Sequence, residues 1–72
     1  MNDLKELDEV QTAKNAYRLI IESGRSIEDI SLSLKISERV IYYWRTGKRF
    51  PNIKHVYGLS QIFNLPIESI LA

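Results

Sequence analysis

The chain has no cysteine, and it has one histidine and three glycines among its 72 residues. Without cysteine, neither disulfides nor a cysteine zinc site can stabilise so short a chain. The single histidine, His55, excludes a metal or nucleophile site built on paired histidines, and the glycines form no phosphate-binding loop. The carboxylates lie mainly near the N-terminus, without the pattern of an acid–base pair. The sequence therefore predicts no enzyme activity, no catalytic residue, no metal site and no cofactor.

The chain also lacks any apolar run near the roughly 20 residues that a membrane span requires. Its N-terminus is acidic and mixed, unlike the basic and then apolar order of a signal peptide. We therefore expect a cytoplasmic protein of one small domain, residues 1–72, with no membrane partner and no evident small-molecule substrate.

Net charge is small overall, at +1, but it is unevenly distributed. Residues 1–34 hold four cations and seven anions, a net charge of −3, whereas residues 35–55 hold six cations and one anion, a net charge of +5. Because local charge governs the approach of a charged molecule, the second segment favours an anionic partner. A solvated face that only keeps the domain soluble has the same composition, so charge alone leaves both alternatives open.

Residues 37–49 have the pattern of one short helix with a clear start and end. The hydroxyl of Ser37 can accept a backbone N–H at the start, and Gly47 supplies the left-handed residue that ends many helices. Val40, Ile41 and Trp44 follow at spacings that place them in one buried stripe. The other positions are charged, polar or aromatic: Glu38, Arg39, Tyr42, Tyr43, Arg45, Thr46, Lys48 and Arg49. An exposed face of this kind, next to cations, indicates a surface that contacts an anionic molecule.

Apolar periodicity and capping residues predict five helices in all. They cover about residues 9–23, 27–34, 38–46, 53–63 and 67–71. Ser26 and Asn52 are candidate N-caps. The first helix opens at Asp8, or an earlier turn is capped by Asn2 or Asp3. The alternation of apolar residues over 27–36 also permits a strand, which the helical caps make the weaker interpretation.

Two features of the predicted helices concern packing. Gly58 lies inside the fourth helix and costs roughly 1 kcal/mol relative to alanine, so we expect another helix to pack closely against it. Ile67, Ile70 and Leu71 crowd the last helix, where they either seal the core or form the contact of a dimer.

A polar helix start, an apolar pair, a tight turn and a second capped helix ending at glycine follow one another in residues 26–47. These positions are Ser26, Ile30, Leu34, Ile36, Ser37, Ile41, Trp44 and Gly47. With the segments 44–51 and 59–71, they make the chain from about Ala13 to Leu71 resemble the Cro/repressor-type (lambda-repressor-like, XRE-family) helix-turn-helix domain. The resemblance implies an all-α, compact five-helix domain in which helices 2 and 3 form the helix-turn-helix.

The chain departs from the family pattern at three positions. Lys35 stands in the turn where the family usually has glycine, so either this lysine adopts a positive φ or the turn differs. Ile27 stands where the family often has a glutamine that contacts phosphate, and Ser31 where it often has alanine.

The resemblance implies sequence-specific binding of double-stranded DNA by a transcriptional regulator of bacterial, phage or plasmid origin, repressor-like and homodimeric. The third helix would lie in the major groove. The implied base-contacting residues are Ser37, Glu38, Arg39, Tyr42 and Tyr43. The implied phosphate-contacting residues are Ser26, Arg45, Thr46, Lys48 and Arg49.

Two other functions remain open from the sequence. A protein-interaction module that reuses the fold is favoured by the aromatic run 42–44, by the missing glutamine and by the low net charge. A non-specific nucleic-acid binder would need only the cations at positions 45, 48 and 49.

Overall fold

Every regular element in residues 6–72, the part that the computed structural model describes, is helical. The elements are α1 (Glu9–Ser23), α2 (Ile27–Leu34), α3 (Glu38–Trp44), α4 (Ile53–Phe63) and a single 3₁₀ turn (Ile67–Ser69). The prediction of an all-α fold is confirmed. The prediction of five helices is wrong, because four α-helices are present and a 3₁₀ turn replaces the helix expected over 67–71.

Each α-helix begins at a polar side chain that accepts a backbone N–H three residues later. These N-caps are Asp8, Ser26, Ser37 and Asn52. Each one satisfies a backbone donor that the helix itself leaves unpaired. Asp8 therefore opens α1, and the alternative cap at Asn2 or Asp3 lies outside the described residues. The strand interpretation of 27–36 is wrong, since the cap at Ser26 starts α2.

A residue with positive φ lies after each of the four helices: Gly24, Lys35 and Asn64 directly after α1, α2 and α4, and Gly47 three residues after the end of α3. After three of these residues, the next N–H donates to the carbonyl five residues earlier, as Ile36 does to Ser31 at 3.0 Å. This is the Schellman arrangement, which satisfies carbonyls left free at a helix end. Lys35 has φ 59° and ψ 44°. Of the two alternatives for the turn, the structure contains the lysine in the left-handed conformation.

α3 ends two residues earlier than predicted, at Trp44 rather than at position 46. The N–H of Arg45 donates to the carbonyl of Tyr42 at 3.1 Å, and that of Gly47 donates to Trp44 at 3.3 Å. These bonds span three residues instead of four, so the last turn tightens into 3₁₀-like geometry before the left-handed glycine.

The core lies between the four helices: α1 and α2 pack against the buried side of α3, and α4 packs against α1 and α2. It consists of Ala13, Ala16, Ile20, Ile30, Ile41, Trp44, Val56, Leu59 and Ile70. Burying large apolar side chains of this kind contributes about 1.5–3 kcal/mol each. Ile67 and Leu71 pack partly buried against this cluster. Of the two roles considered for the C-terminal apolar residues, they therefore seal the core.

The segment after the 3₁₀ turn is not helical because its backbone bonds to α1. The side-chain amide of Asn15 donates to the carbonyl of Ile70, and the N–H of Ala72 donates to the hydroxyl of Thr12, both at 3.0 Å. The N–H of Asp8 donates to the carbonyl of Ala72 at 2.9 Å. Residues 70–72 thus bond to α1 and to its N-cap instead of continuing a helix.

α4 packs closely against α2 at Gly58. A Cβ built on Gly58 would lie 2.6 Å from Cδ2 of Leu34. The expected close packing against another helix is confirmed, and it holds the C-terminal end of α2, and hence the turn into α3, against α4.

Candidate functional site

α3 divides into a buried side and an exposed side. Ile41 and Trp44 have no exposed surface, and they fix the helix against the core. Glu38, Arg39 and Tyr42 are exposed. A short helix anchored in this way presents its polar side chains from a defined position, because rotation would expose the buried pair.

Ser37 is exposed at the start of α3, and its hydroxyl oxygen accepts the N–H of Val40 at 3.3 Å. Ser26 has the same role at the start of α2, where it accepts the N–H of Asp29 at 3.0 Å. Both predicted site residues are therefore N-caps, and each keeps its hydroxyl proton for donation to another molecule.

Tyr43 and two of the predicted phosphate contacts lie together. The Nζ of Lys48 is 4.8 Å from the centre of the Tyr43 ring, and the Cζ of Arg49 is 5.8 Å from it. These distances are in the range of cation–π attraction. The bond from the N–H of Lys48 to the carbonyl of Tyr43, 3.0 Å long, brings the two residues together across Gly47. We call Tyr43, Lys48 and Arg49 the cation–tyrosine cluster.

The cationic segment faces solvent. All six of its basic residues are exposed: Lys35, Arg39, Arg45, Lys48, Arg49 and Lys54. Thr46 is exposed in the turn after α3. Because exposed cations are free to meet an anion, the +5 segment can attract a polyanion along the exposed part of α3 and the turn that follows.

His55 makes contacts that the sequence analysis did not predict. It lies on α4 and is partly exposed, with its ring centre 5.9 Å from that of Trp44. Its Nδ1 accepts the N–H of Asn52 at 3.2 Å, which completes a capping box. Burial, and then the charge of Lys54, lower the pKa of His55. A histidine three residues after an asparagine N-cap is the sequence signal for this arrangement.

A surface groove of about 520 Å³ lies between the α2–α3 turn and α4. Its lining includes Lys35, Ile36, His55, Tyr57 and Gly58. Within residues 6–72, His, Asp and Glu side chains form no group of three that could hold a metal ion. None of the helices in the same range is long and apolar enough to span a membrane.

The capped α2, the left-handed turn and the anchored α3 form a helix-turn-helix, and solved structures share this fold. A transcriptional regulator from Listeria innocua matches with a TM-score of 0.74 and 30% identity, over 85% of this chain and 57% of that one. The chain thus spans little more than half of that regulator. The resemblance to the Cro/repressor-type helix-turn-helix class is confirmed.

A second solved structure has the same fold at lower sequence similarity. The restriction-modification controller protein C.AhdI from Aeromonas hydrophila matches with a TM-score of 0.71 and 14% identity, over 88% of this chain and 96% of that one. At this identity the likeness concerns the fold. No protein-family model and no curated protein matches the chain.

Proposed function

We propose that this protein is a transcriptional regulator that binds double-stranded DNA sequence-specifically, with α3 in the major groove. The observation that carries the proposal is the division of α3: Ile41 and Trp44 are fully buried, whereas Glu38 and Arg39 are exposed at its N-terminal end. Two solved structures with this fold carry the names of a transcriptional regulator and a restriction-modification controller protein, which supports the same role.

The N-terminal half of α3 is the proposed reading surface. Arg39 can donate two hydrogen bonds to one guanine, and Glu38 can accept one from the N4 amino group of cytosine. A good bidentate contact of this kind discriminates by about 1–3 kcal/mol. Ser37 and Tyr42 are both exposed, which supports contacts from their side chains to neighbouring bases.

The proposed phosphate contacts lie at the start of α2 and in the segment that follows α3. They are Ser26, Arg45, Thr46, Lys48 and Arg49, all exposed. Contacts to phosphate set the register of a protein on the duplex without reading its sequence. Because each cation that meets a phosphate releases counterions, binding should weaken steeply with salt.

Selection of bound duplexes from a random pool, followed by titration at two salt concentrations, tests the proposal. We expect one recovered sequence to bind more tightly than its scrambled control, and both affinities to fall as salt rises. Equal affinities together with a steep salt dependence would instead favour the non-specific binder, for which the clustering of Lys48 and Arg49 is the supporting observation. Absence of any salt dependence would contradict both.

We further propose that the protein acts as a repressor-like homodimer on a two-fold operator. The C-terminal apolar residues are used in the core, so a dimer requires another surface. Ile53 and Tyr57, one turn apart on α4 and 65% and 54% exposed, provide an apolar candidate. Sedimentation should give a dimer for the parent chain and a monomer for Tyr57→Lys.

A reporter gene carrying the selected site should be expressed less when the protein is present, and increased expression would contradict a repressor.

The protein-interaction alternative has less support than the aromatic run 42–44 suggested. Trp44 is fully buried, and the ring of Tyr43 is half-buried beside two cations. Only Tyr42 remains as an exposed aromatic side chain of that run.

A further inference from the structure

We propose that Tyr43 is a positioning residue that holds Lys48 and Arg49 as a pair for one phosphate group of the DNA backbone, and that it does not read bases. This inference rests on the proposed DNA binding and assigns a ligand to one part of that surface. It replaces the base-contacting role that the family resemblance implies for Tyr43.

The first observation is the geometry of the cation–tyrosine cluster. One ring has the ammonium of Lys48 at 4.8 Å and the guanidinium of Arg49 at 5.8 Å from its centre. Long basic side chains lose considerable conformational freedom when they bind. A ring that already attracts both cations reduces this loss, because the charged groups are near their binding positions before the anion arrives.

The second observation is the fixed backbone beneath the cluster. Gly47 has φ 79°, and a Cβ at this position would lie 2.7 Å from Cγ1 of Val10. α1 therefore packs directly against the turn. The 3.0 Å bond from the N–H of Lys48 to the carbonyl of Tyr43 closes the same turn. Both cations thus extend from a segment that is held at two points.

The third observation concerns charge and exposure. Both cations are exposed and lie near one neutral ring, so an anion that meets one of them is also attracted by the other. Phosphate oxygens suit this position, because arginine and lysine are the usual donors to phosphate. Tyr43 is half-buried, whereas the adjacent Tyr42 is 49% exposed. Tyr42 is therefore the tyrosine better placed to reach a base.

Paired variants at position 43 distinguish positioning from base reading. Tyr43→Leu should weaken binding to the selected and the scrambled duplex by the same factor, about twofold to fivefold, because it removes the attraction between ring and cations. Tyr43→Phe keeps the ring and should bind both duplexes as the parent does. A changed ratio between the two duplexes in either variant would overturn the proposal, as would a Tyr43→Phe variant as weak as Tyr43→Leu.

A double-mutant cycle separates positioning from a general loss of structure. In a chain that already carries Lys48→Gln and Arg49→Gln, Tyr43→Leu should cause no further loss of affinity. An equal loss in both backgrounds would show that Tyr43 acts through the fold and would overturn the assignment.

Heparin chromatography tests anion binding by the cation–tyrosine cluster separately from base recognition, because heparin is a polyanion without bases. Tyr43→Leu should elute at lower salt than Tyr43→Phe, because its two cations no longer bind as a pair. Equal elution would overturn the positioning role even if the duplex experiments succeed. If the parent chain binds no duplex, the proposed function fails, and the assignment to DNA phosphate fails with it, while the heparin result still decides whether the ring positions the cations.

Discussion

The turn before α3 and the turn after it share one backbone geometry but have different residues at the left-handed position. Lys35 has φ 59° and Gly47 has φ 79°, and in each turn the following N–H donates five residues back. Lys35 is exposed, with its side chain beside the groove. At Gly47, α1 leaves no room for a Cβ. A left-handed turn therefore tolerates a side chain where solvent is adjacent, at the cost of backbone strain, and requires glycine where another helix packs.

The largest expected effect tests the second half of this comparison. Gly47→Ala should destabilise the domain by about 2–4 kcal/mol, because it combines left-handed strain with a clash against Val10. Gly24→Ala is the matched control, since Gly24 has the same φ of 79° and open space around it. Gly24→Ala should lower the free energy of unfolding by only about 1–2 kcal/mol. Urea unfolding of both variants measures the difference, and equal costs would show that α1 does not restrict the turn.

The two ends of α3 should also differ in how they contribute to DNA binding. Arg39→Ala should reduce discrimination between the selected and the scrambled duplex by about 1–3 kcal/mol, since it removes a proposed base contact. Lys48→Ala should weaken both duplexes alike and lower the salt slope by about 1. Titration of each variant at several salt concentrations checks both. Similar losses on both duplexes for the two variants would show that the assigned roles are wrong.

A smaller effect is expected at the turn before α3. Lys35→Gly should stabilise the domain by about 0.5–1 kcal/mol, because glycine adopts positive φ without strain and loses only part of the gain to chain entropy. Lys35→Ala keeps the strain and removes the charge, so it serves as the control and should leave stability nearly unchanged. If Lys35→Ala were also more stable than the parent, the stabilisation would come from removing the charge rather than from the backbone conformation.

The smallest effect concerns His55, which lines the same groove as Lys35 and contacts Trp44. Its pKa is lowered from 6.5 in the folded state, so the unfolded chain binds the proton more tightly. Its contribution to stability is therefore fully present above about pH 6.5 and decreases as the pH falls toward the folded-state pKa. His55→Gln keeps an acceptor in the capping box but does not titrate. Unfolding of both proteins between about pH 7 and pH 5 should show the smaller loss in the variant, and equal losses would contradict the assignment.

Most of what the sequence predicts correctly depends on residues close together in the chain. The caps at Ser26, Ser37 and Asn52 and the buried pair Ile41 and Trp44 follow from local pattern, because each acts within one or two helical turns. The prediction of a helix over 67–71 is wrong for the opposite reason. Its residues bond to α1, and no local pattern reports a partner so distant in sequence.

The candidate site shows the same division. Exposure of Glu38 and Arg39 follows from the position of the buried stripe on α3. The grouping of Tyr43 with Lys48 and Arg49 depends on how the chain turns at Gly47, and the left-handed conformation of Lys35 depends on the Schellman bonds. The sequence permits these arrangements but does not select among them, because residues other than glycine rarely adopt positive φ.

The hydrogen bonds between residues 8–15 and residues 70–72 join positions far apart in the chain; Thr12 and Ala72, for example, are separated by 60 positions. Closing so long a loop is slow compared with forming local turns. The contacts that join α1 to residues 70–72 therefore raise the mean sequence separation of contacts in the domain, and this slows its folding.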